Sequence, residues 1–512
     1  MDGVSPHGEN RRTPRGPAPT RRAGLRPALL GLGALALAGC ATPPRADSER
    51  EVQRQVAAVA PAAGQAIDGA LGADATAAEA RMAALRAQPL TPQSAVEIAL
   101  LRSPKVGAAF ARLGLSRADL IGATRLSNPT LGGVRIGANG DYKTTLDFAF
   151  GLGDLMLLPS RRRLGTAEYE RAQRQVAQEM LALVADVETA WYSAVSARQV
   201  ATMRDAVANA AALSAELAQR FHEAGNITLL QLATERAAAS QAKLAAAHSA
   251  VEARTQRLAL LRMIGVGQDP AWTLADTLPK PTPAAADEAA LLELAGRQRA
   301  DLDAARREVA LLDDALKVAH RWRLLGEVRL GGEREREASG EVLSGPTLEL
   351  ALPIFDQGQA GIARATARLE GSRAALRELE LAVGDDVRTA LDRWGTAAVA
   401  VEEYEKTLVP AQQTIVAQQQ LRQNFMLIGQ FELLLGKQQE YDAWQGYLEA
   451  IRDYWIARTD LERAIGGALP GAAPAGAPAI GPQDLPGMPE VPDLDRKGPT
   501  PAAAADHKES ES

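Results

Sequence analysis

Few of the 512 residues are of types that carry out chemistry, and those few do not gather along the chain. The five histidines, His7, His222, His248, His320 and His507, lie far apart, and a solitary helical histidine is ordinarily a packing or surface residue. No H-E-x-x-H pair, paired-cysteine spacing or nucleophile–base pattern accompanies them. Gly436-Lys437 is followed by Gln438 and lacks the glycine five places earlier that a phosphate loop needs. The pattern therefore points away from an enzyme and requires neither cofactor nor metal. The exception is Cys40, the only cysteine. Arg21, Arg22 and Arg26 precede an apolar run from about Pro27 to Ala38, which closes as Leu37-Ala38-Gly39-Cys40. A basic segment, a short apolar core and small residues before a cut site read as a secretory signal, too short to span a bilayer as a helix. The L-A-G-C ending resembles a bacterial lipobox, so residues 1–39 are expected to be removed and Cys40 to carry lipid. Ala41, rather than an aspartate, favours sorting to an outer membrane. Several acyl chains on one cysteine hold a protein firmly to a bilayer.

The elements that would carry such a molecule are mostly helical. Aromatics make up only 4% of the chain and alanine is abundant, which suits long helices packed at close range. A net charge of −6 gives no electrostatic support for a nucleic-acid partner. Apart from the leader, no stretch of about 18 apolar residues exists, so only a β-barrel could cross a membrane.

Residues 40–89, rich in alanine, proline and charge, read as a flexible tether. A folded body starts at Leu90, where Thr91 caps and Pro92 opens a short helix that Pro104 closes. A second helix runs from about Pro104 to Leu126. Two strand candidates follow: Val134, Ile136 and Ala138 in one and Leu146, Phe148 and Phe150 in the other alternate with small or polar residues, around an Asn139-Gly140-Asp141 turn. Helical spacing then holds from about Ser160 to Phe221, with a seam at Val200, Met203, Val207, Ala210, Ser214, Leu217 and Phe221. Gly225-Asn226 stops it. Thr228 caps a further helix to about Met263, whose expected seam is Leu230, Ala233, Ala237, Ser240, Leu244, Ala247, Val251, Arg254, Leu258 and Leu261. Residues 266–298, with Pro270, Pro279, Pro281 and Pro283, read as a connector.

The second half repeats the first. A helix from about Arg299 leads to strands at Gly326 to Gly331 and Gly345 to Leu352, separated by a charged loop, Glu333 to Gly340. A long helix from about Gln359 has a seam at Val383, Val387, Ala390, Trp394, Ala397, Val401, Tyr404 and Leu408. Pro410 should bend it, and Gly429 ends it before a last helix to about Ile465. Asp186-Val-Glu-Thr-Ala190 matches Asp386-Val-Arg-Thr-Ala390, Gly225-x-Ile-Thr-Leu-Leu230 matches Gly429-x-Phe-Glu-Leu-Leu434, and Ile264-Gly265 matches Ile465-Gly466, at offsets of 200, 204 and 201 residues. The repeats occupy residues 90–265 and 299–466, and residues 467–512 read as a disordered tail. Each long helix is matched in length by two shorter helices laid end to end, so each can bury its stripe. Four strands cannot close a barrel, and their edges require other copies of the chain.

The junction Thr347-Leu-Glu-Leu-Ala-Leu-Pro-Ile-Phe-Asp-Gln-Gly358 resembles the strand-to-helix corner of the TolC-like outer membrane efflux family, with Pro353, Phe355, Asp356 and Gly358 at the corner. The resemblance covers about residues 90 to 466. It implies a mainly α chain with four strands, three copies forming a 12-stranded membrane barrel continued by a periplasmic helical tube. It also implies a homotrimer in outer membrane lipid that works with a periplasmic adaptor and an inner membrane transporter, passing small molecules or metal ions, or serving a type I secretion-like system. The adaptor would meet the helix turns Gly225, Asn226, Ile227, Thr228, Leu229 and Gly429, Gln430, Phe431, Glu432, Leu433, with Ile227 and Phe431 expected to be exposed. Many members narrow the pore with aspartates just past the second turn, but Leu433-Leu434-Leu435-Gly436-Lys437 contains none, so that gate does not carry over. The run Gly153 to Pro159 followed by Arg161, Arg162 and Arg163 is reminiscent of the heavy-metal branch. The competing reading is a periplasmic coiled-coil lipoprotein with a structural or adaptor role and no pore.

Overall fold

The computed structural model describes residues 3, 45–59, 64, 75–138, 141–267, 272–281, 286–323, 328–470 and 479–480. The signal, the lipobox and Cys40 lie outside them. Helix α1 is Arg45–Val59, α2 Ala75–Arg86, α3 Pro92–Arg102 and α4 Pro104–Thr124; strands β1 (Thr130–Ala138) and β2 (Asp141–Gly151) lead into α5 (Leu152–Glu223) and α6 (Leu229–Ile264). After β3 (Leu278–Pro279) come α7 (Glu288–Gln298), α8 (Ala300–Trp322), β4 (Val328–Arg336), β5 (Val342–Leu350), α9 (Gln359–Glu403), a π turn (Tyr404–Leu408), α10 (Val409–Asn424), α11 (Gln430–Ile465) and β6 (Ala479–Ile480).

Local chemistry sets most of these boundaries. At α3, the Ser94 amide donates to Thr91 Oγ1 (3.2 Å) while the Thr91 amide donates to Ser94 Oγ (2.8 Å), so two orphan donors are satisfied reciprocally. Thr228 and Gln231 build the same box at α6. Helices α6 and α11 both end on left-handed glycines, Gly265 at φ 80° and Gly466 at φ 78°. Both glycines sit where a Cβ would collide with backbone, at 2.5 Å from the Arg102 carbonyl oxygen and 2.9 Å from the Arg299 Cα. Glycine is needed there twice over, for the dihedral and for the space.

Helix α5 is 72 residues long, or about 108 Å at 1.5 Å per residue. It starts at Leu152, not near Ser160, and Pro159 lies inside it. A proline near a helix start costs one bond to the preceding turn, which the packed helix around it tolerates. The Gly153–Pro159 run is accordingly helical. Strands β4 and β5 are longer toward the turn than expected, so Glu333 to Arg336 belong to the ladder and not to a loop.

Three segments read as unstructured carry structure. In place of a tether, residues 45–59 and 75–86 form α1 and α2. Val52 and Val56 are fully buried, Leu85 is buried, and Arg81 Nη2 pairs with Glu97 Oε2 at 2.8 Å. Composition hid them because two valines one turn apart suffice to anchor a short helix on a large neighbour. The connector, too, is core: Trp272, Leu274, Leu278, Leu291 and Ala295 are buried. It is tied down by the Leu90 amide donating to the Thr273 carbonyl (2.8 Å) and by Trp455 Nε1 donating to the Pro279 carbonyl (2.8 Å). In the tail, Leu469 is buried and Ala479–Ile480 pair with Leu278–Pro279.

The seams divide into a correct one and a misplaced one. Val383, Val387, Ala390, Trp394 and Val401 of α9 are buried as expected, as are Met203, Val207 and Ser214 of α5, whereas Ala210 is exposed. In α6 the expected seam faces outward over most of its length, with Leu230 76% exposed, Leu244 62% and Val251 66%, and turns inward only at its end, where Leu258 is half-buried and Leu261 buried. The face against α5 instead runs through buried Leu232, half-buried Glu235, Ala239, Ala242, Ala246, Ser249 and Ala253, and buried Leu260 and Ile264. Small residues let the two backbones approach, and the larger apolar stripe is left uncovered by this chain.

The π turn explains the unequal repeat offsets. A π turn holds one residue more than an α turn. Before it the halves align at 200 residues, and after it the left-handed cap glycines Gly265 and Gly466 align at 201. The buried stripe slips with it: Leu408 is 41% exposed, and Val409 and Val416 take over the buried positions. Pro410, expected to bend the helix, follows directly at the start of α10.

Candidate functional site

The four long strands make one antiparallel sheet in the order β1-β2-β4-β5, with 9, 11, 9 and 9 residues. The two halves of the chain meet at the β2–β4 pairing, where Phe148 lies opposite Gly332 and Phe150 opposite Leu330. Directly opposed residues share a face. Through the registers Leu131↔Phe148, Gly133↔Leu146, Phe150↔Leu330 and Leu330↔Leu348, one face collects Leu131, Tyr142, Leu146, Phe148, Phe150, Leu330, Val342, Leu348 and Leu350, with Arg135, Arg334 and Arg336 on the same face toward the strand turns. Val134, Ile136 and Ala138, the residues whose alternation marked β1, fall on the opposite face, because the β1–β2 register sets Leu131, not Val134, beside Phe148. The apolar residues named on the first face are all exposed, Leu131 at 80% and Leu348 at 69%. The other face carries Lys143, Asp147, Arg329, Glu333, Glu335 and Glu349 together with exposed Val134, Ile136 and Leu343, with Lys143 Nζ 2.6 Å from Glu335 and Arg329 3.7 Å from Glu349. Away from the turns the sheet has one mainly apolar and one mainly charged face, while β1 and β5 keep unpaired edges. About 9 to 11 tilted residues are what a membrane-crossing strand needs. Among the described residues no helix is long and apolar enough to cross a membrane.

The corner after β5 is a short turn held by a side chain. Asp356 Oδ1 accepts from the Gly358 amide at 2.8 Å, and Gly358, at φ 78°, is the residue from which α9 departs. The strand itself stops at Leu350, ahead of Pro353, and Phe355 is 95% exposed beside Leu352 and Ile354.

The helix turns differ from the expectation in an informative way. In the first, the Asn226 amide donates to the Phe221 carbonyl (2.8 Å) and the Gly225 amide to the His222 carbonyl (2.9 Å), around Gly225 at φ 77°. His222 Nδ1 lies 3.0 Å from the Ile227 carbonyl, so this histidine braces the turn. In the second turn, Leu427 donates to Arg422 (2.8 Å) and Met426 to Gln423 (2.8 Å), around Met426 at φ 58°. Both are the same left-handed helix cap. The counterpart of Gly225 is therefore Met426, and Thr228 corresponds to Gly429, the residue preceding α11. Matching Gly225 to Gly429 slipped the alignment by one helical turn. Ile227 and Phe431 are half-buried, not exposed; Asn226, Leu229, Gln430 and Glu432 are exposed, and Leu433 is half-buried. The exposed apolar residues are Phe425 (75%), Met426 (93%) and Leu427 (68%), which the sequence pattern did not single out. Their consecutive placement between two helices was the available signal. Gly436 is buried and leaves room for Gln419, which accounts for the glycine before Lys437.

No described protein family matches the chain, and no curated protein matches it by sequence. Solved structures do. The CmeC outer membrane channel of Campylobacter jejuni superposes with a TM-score of 0.64 at 14% identity over 75% of this chain and 87% of that one. The outer membrane protein VceC of Vibrio cholerae gives 0.62 at 16% identity over 74% and 96%, and the MtrE outer membrane channel of Neisseria gonorrhoeae 0.59 at 19% over 73% and 89%. The chain has the fold of the outer membrane efflux channels.

Proposed function

We propose that this protein is the outer membrane exit duct of a tripartite efflux system, of the TolC-like class. The observation that carries the reading is the four-stranded sheet with an uncovered apolar face and two open edges, joined to helices about 100 Å long. Three copies would supply twelve strands and close those edges. The polar face would line the pore, and the uncovered stripe of α6 would meet a neighbouring copy. Cys40 would carry the lipid that anchors the assembly. The turns at Gly225–Leu229 and Phe425–Leu433 would dock a periplasmic adaptor, whose binding shifts the entrance from closed toward open. Transport would be passive, with energy supplied at an inner membrane transporter, and the cargo, small molecules or metal ions, chosen there. A pore-free periplasmic lipoprotein would have no use for the apolar face of the sheet, since water would meet it directly. The test is purification from outer membranes, followed by unboiled gels and planar-bilayer recording. A heat-modifiable oligomer with single-channel conductance is expected; a monomer in detergent without conductance overturns the proposal.

A further inference from the structure

The junction between repeats leaves a cavity that the exit-duct reading does not use. Helix α11 ends at Gly466 against Arg299, just before α8 begins, and around this joint α3, α5, α8, α9 and α11 line an open cleft of about 740 Å³. That volume is in the range of small-molecule sites. Val96, Leu181 and Ala182 give it apolar walls, and its lining carries six carboxylates against three guanidinium groups. Part of this charge is paired within the fold. Arg299 pairs with Asp301 at 2.6 Å and Asp386 at 3.0 Å, Arg463 with Asp186 at 2.7 Å, and Glu462 with Arg458 at 3.3 Å. Glu188, in contrast, is half-buried with part of its side chain open to the cavity, and no donor among the described residues hydrogen-bonds its carboxyl group.

We infer that this cavity binds an amphipathic organic cation, its charge against Glu188 and its body against Val96, Leu181 and Ala182. A largely desolvated carboxylate with no hydrogen-bond donor is costly unless a cation or a proton neutralises it. A metal ion fits less well, because among the described residues no three carboxylate, imidazole or thiol groups are arranged to hold one. An organic cation satisfies both the Glu188 carboxylate and the apolar walls.

Binding should depend on pH, because burial, and then the neighbouring Glu462, push the Glu188 carboxyl up to about 7 while Arg458 opposes the shift. The other charged groups facing the cavity are Arg299 just before α8, Asp301 on α8, Asp385, Asp386 and Arg393 on α9, and Asp460 and Arg463 on α11. A cation requires the ionised form, so affinity should rise between pH 6 and pH 8.

The probe is ethidium, titrated by fluorescence polarisation into the purified full-length protein in detergent. Expected are saturable binding that tightens with pH, at least tenfold weaker binding and a flat pH profile for Glu188→Gln, and loss of binding for Ala182→Trp, which fills the cavity and leaves its charges in place. Glutamine matches the neutral carboxyl in shape, so the first variant should fold normally. Undiminished binding to Glu188→Gln at pH 8, unchanged binding to Ala182→Trp, or no binding by the parent protein overturns the inference. Failure of maleimide to label Ala182→Cys in the assembled protein also overturns it, since the cavity would then be covered by another copy. Conductance is measured separately, so a protein that conducts without binding ethidium sinks the pocket alone, and one that binds without conducting sinks the channel alone.

Discussion

The two faces of the sheet give a sharp test, because adjacent residues should respond oppositely to the same substitution. Phe148 lies near the middle of the apolar band, opposite Leu131 on one side and Gly332 on the other. Phe148→Arg would put a guanidinium into hydrocarbon, at about 2–4 kcal/mol per chain near the midplane of a membrane barrel. At about 1.4 kcal/mol per factor of ten, that is roughly 30- to 700-fold against insertion per chain, and every copy in an oligomer would bear it. Asp147, one residue earlier, points to the other face and lies directly opposite Glu333. Asp147→Arg exchanges two opposed carboxylates for an opposite-charge pair, so it should alter stability by within about 1 kcal/mol, in the stabilising direction. The assay is folding into lipid vesicles, read as the fraction of heat-modifiable oligomer and the urea midpoint. Phe148→Arg should lose most of the oligomer, while Asp147→Arg should retain it and shift ion selectivity toward anions. Equal effects of the two variants, or a greater effect of Asp147→Arg, would refute the assignment of the faces.

Three further outcomes are expected. Deleting Thr407, an exposed residue of the π turn, should convert that turn to α-helix and keep the helix phase on both sides, costing less in thermal melting by circular dichroism than deleting an exposed residue of α9 such as Arg377. Met426→Gly should relieve about 1 kcal/mol of left-handed strain, visible as slower hydrogen exchange at the second turn, while weakening adaptor pull-down if the exposed methionine is a contact. Stability should fall as pH rises from about 4.5 to about 7, because folded Glu188 keeps its proton to about 7 while the unfolded chain releases it from 4.5. At about 1.4 kcal/mol per pH unit the ceiling of this effect is about 3 kcal/mol, and Glu188→Gln should remove that part of the pH dependence in urea titrations.

Reading the chain alone was enough wherever structure is decided within a few residues. The caps at Thr91 and Thr228, the helix stop at Gly225 and the alternation in β2 all rest on hydrogen bonds or sterics between near neighbours. The twofold repeat was legible for the same reason, since each half restates those local signals about 200 residues apart. What depended on distant partners was not legible. Helix α6 has two plausible stripes, and only the packed hairpin decides that the small one meets α5, because a helical period says which residues share a face but not what covers it. The extra residue of the π turn leaves no mark in composition, yet it shifts the buried stripe and pairs Gly225 with Met426. Helices α1 and α2 and the connector gain their order from long-range contacts with the body, and the cavity at Glu188 exists only where five helices converge. Local bonding is written in adjacent residues, whereas burial is a property of whatever the fold brings alongside.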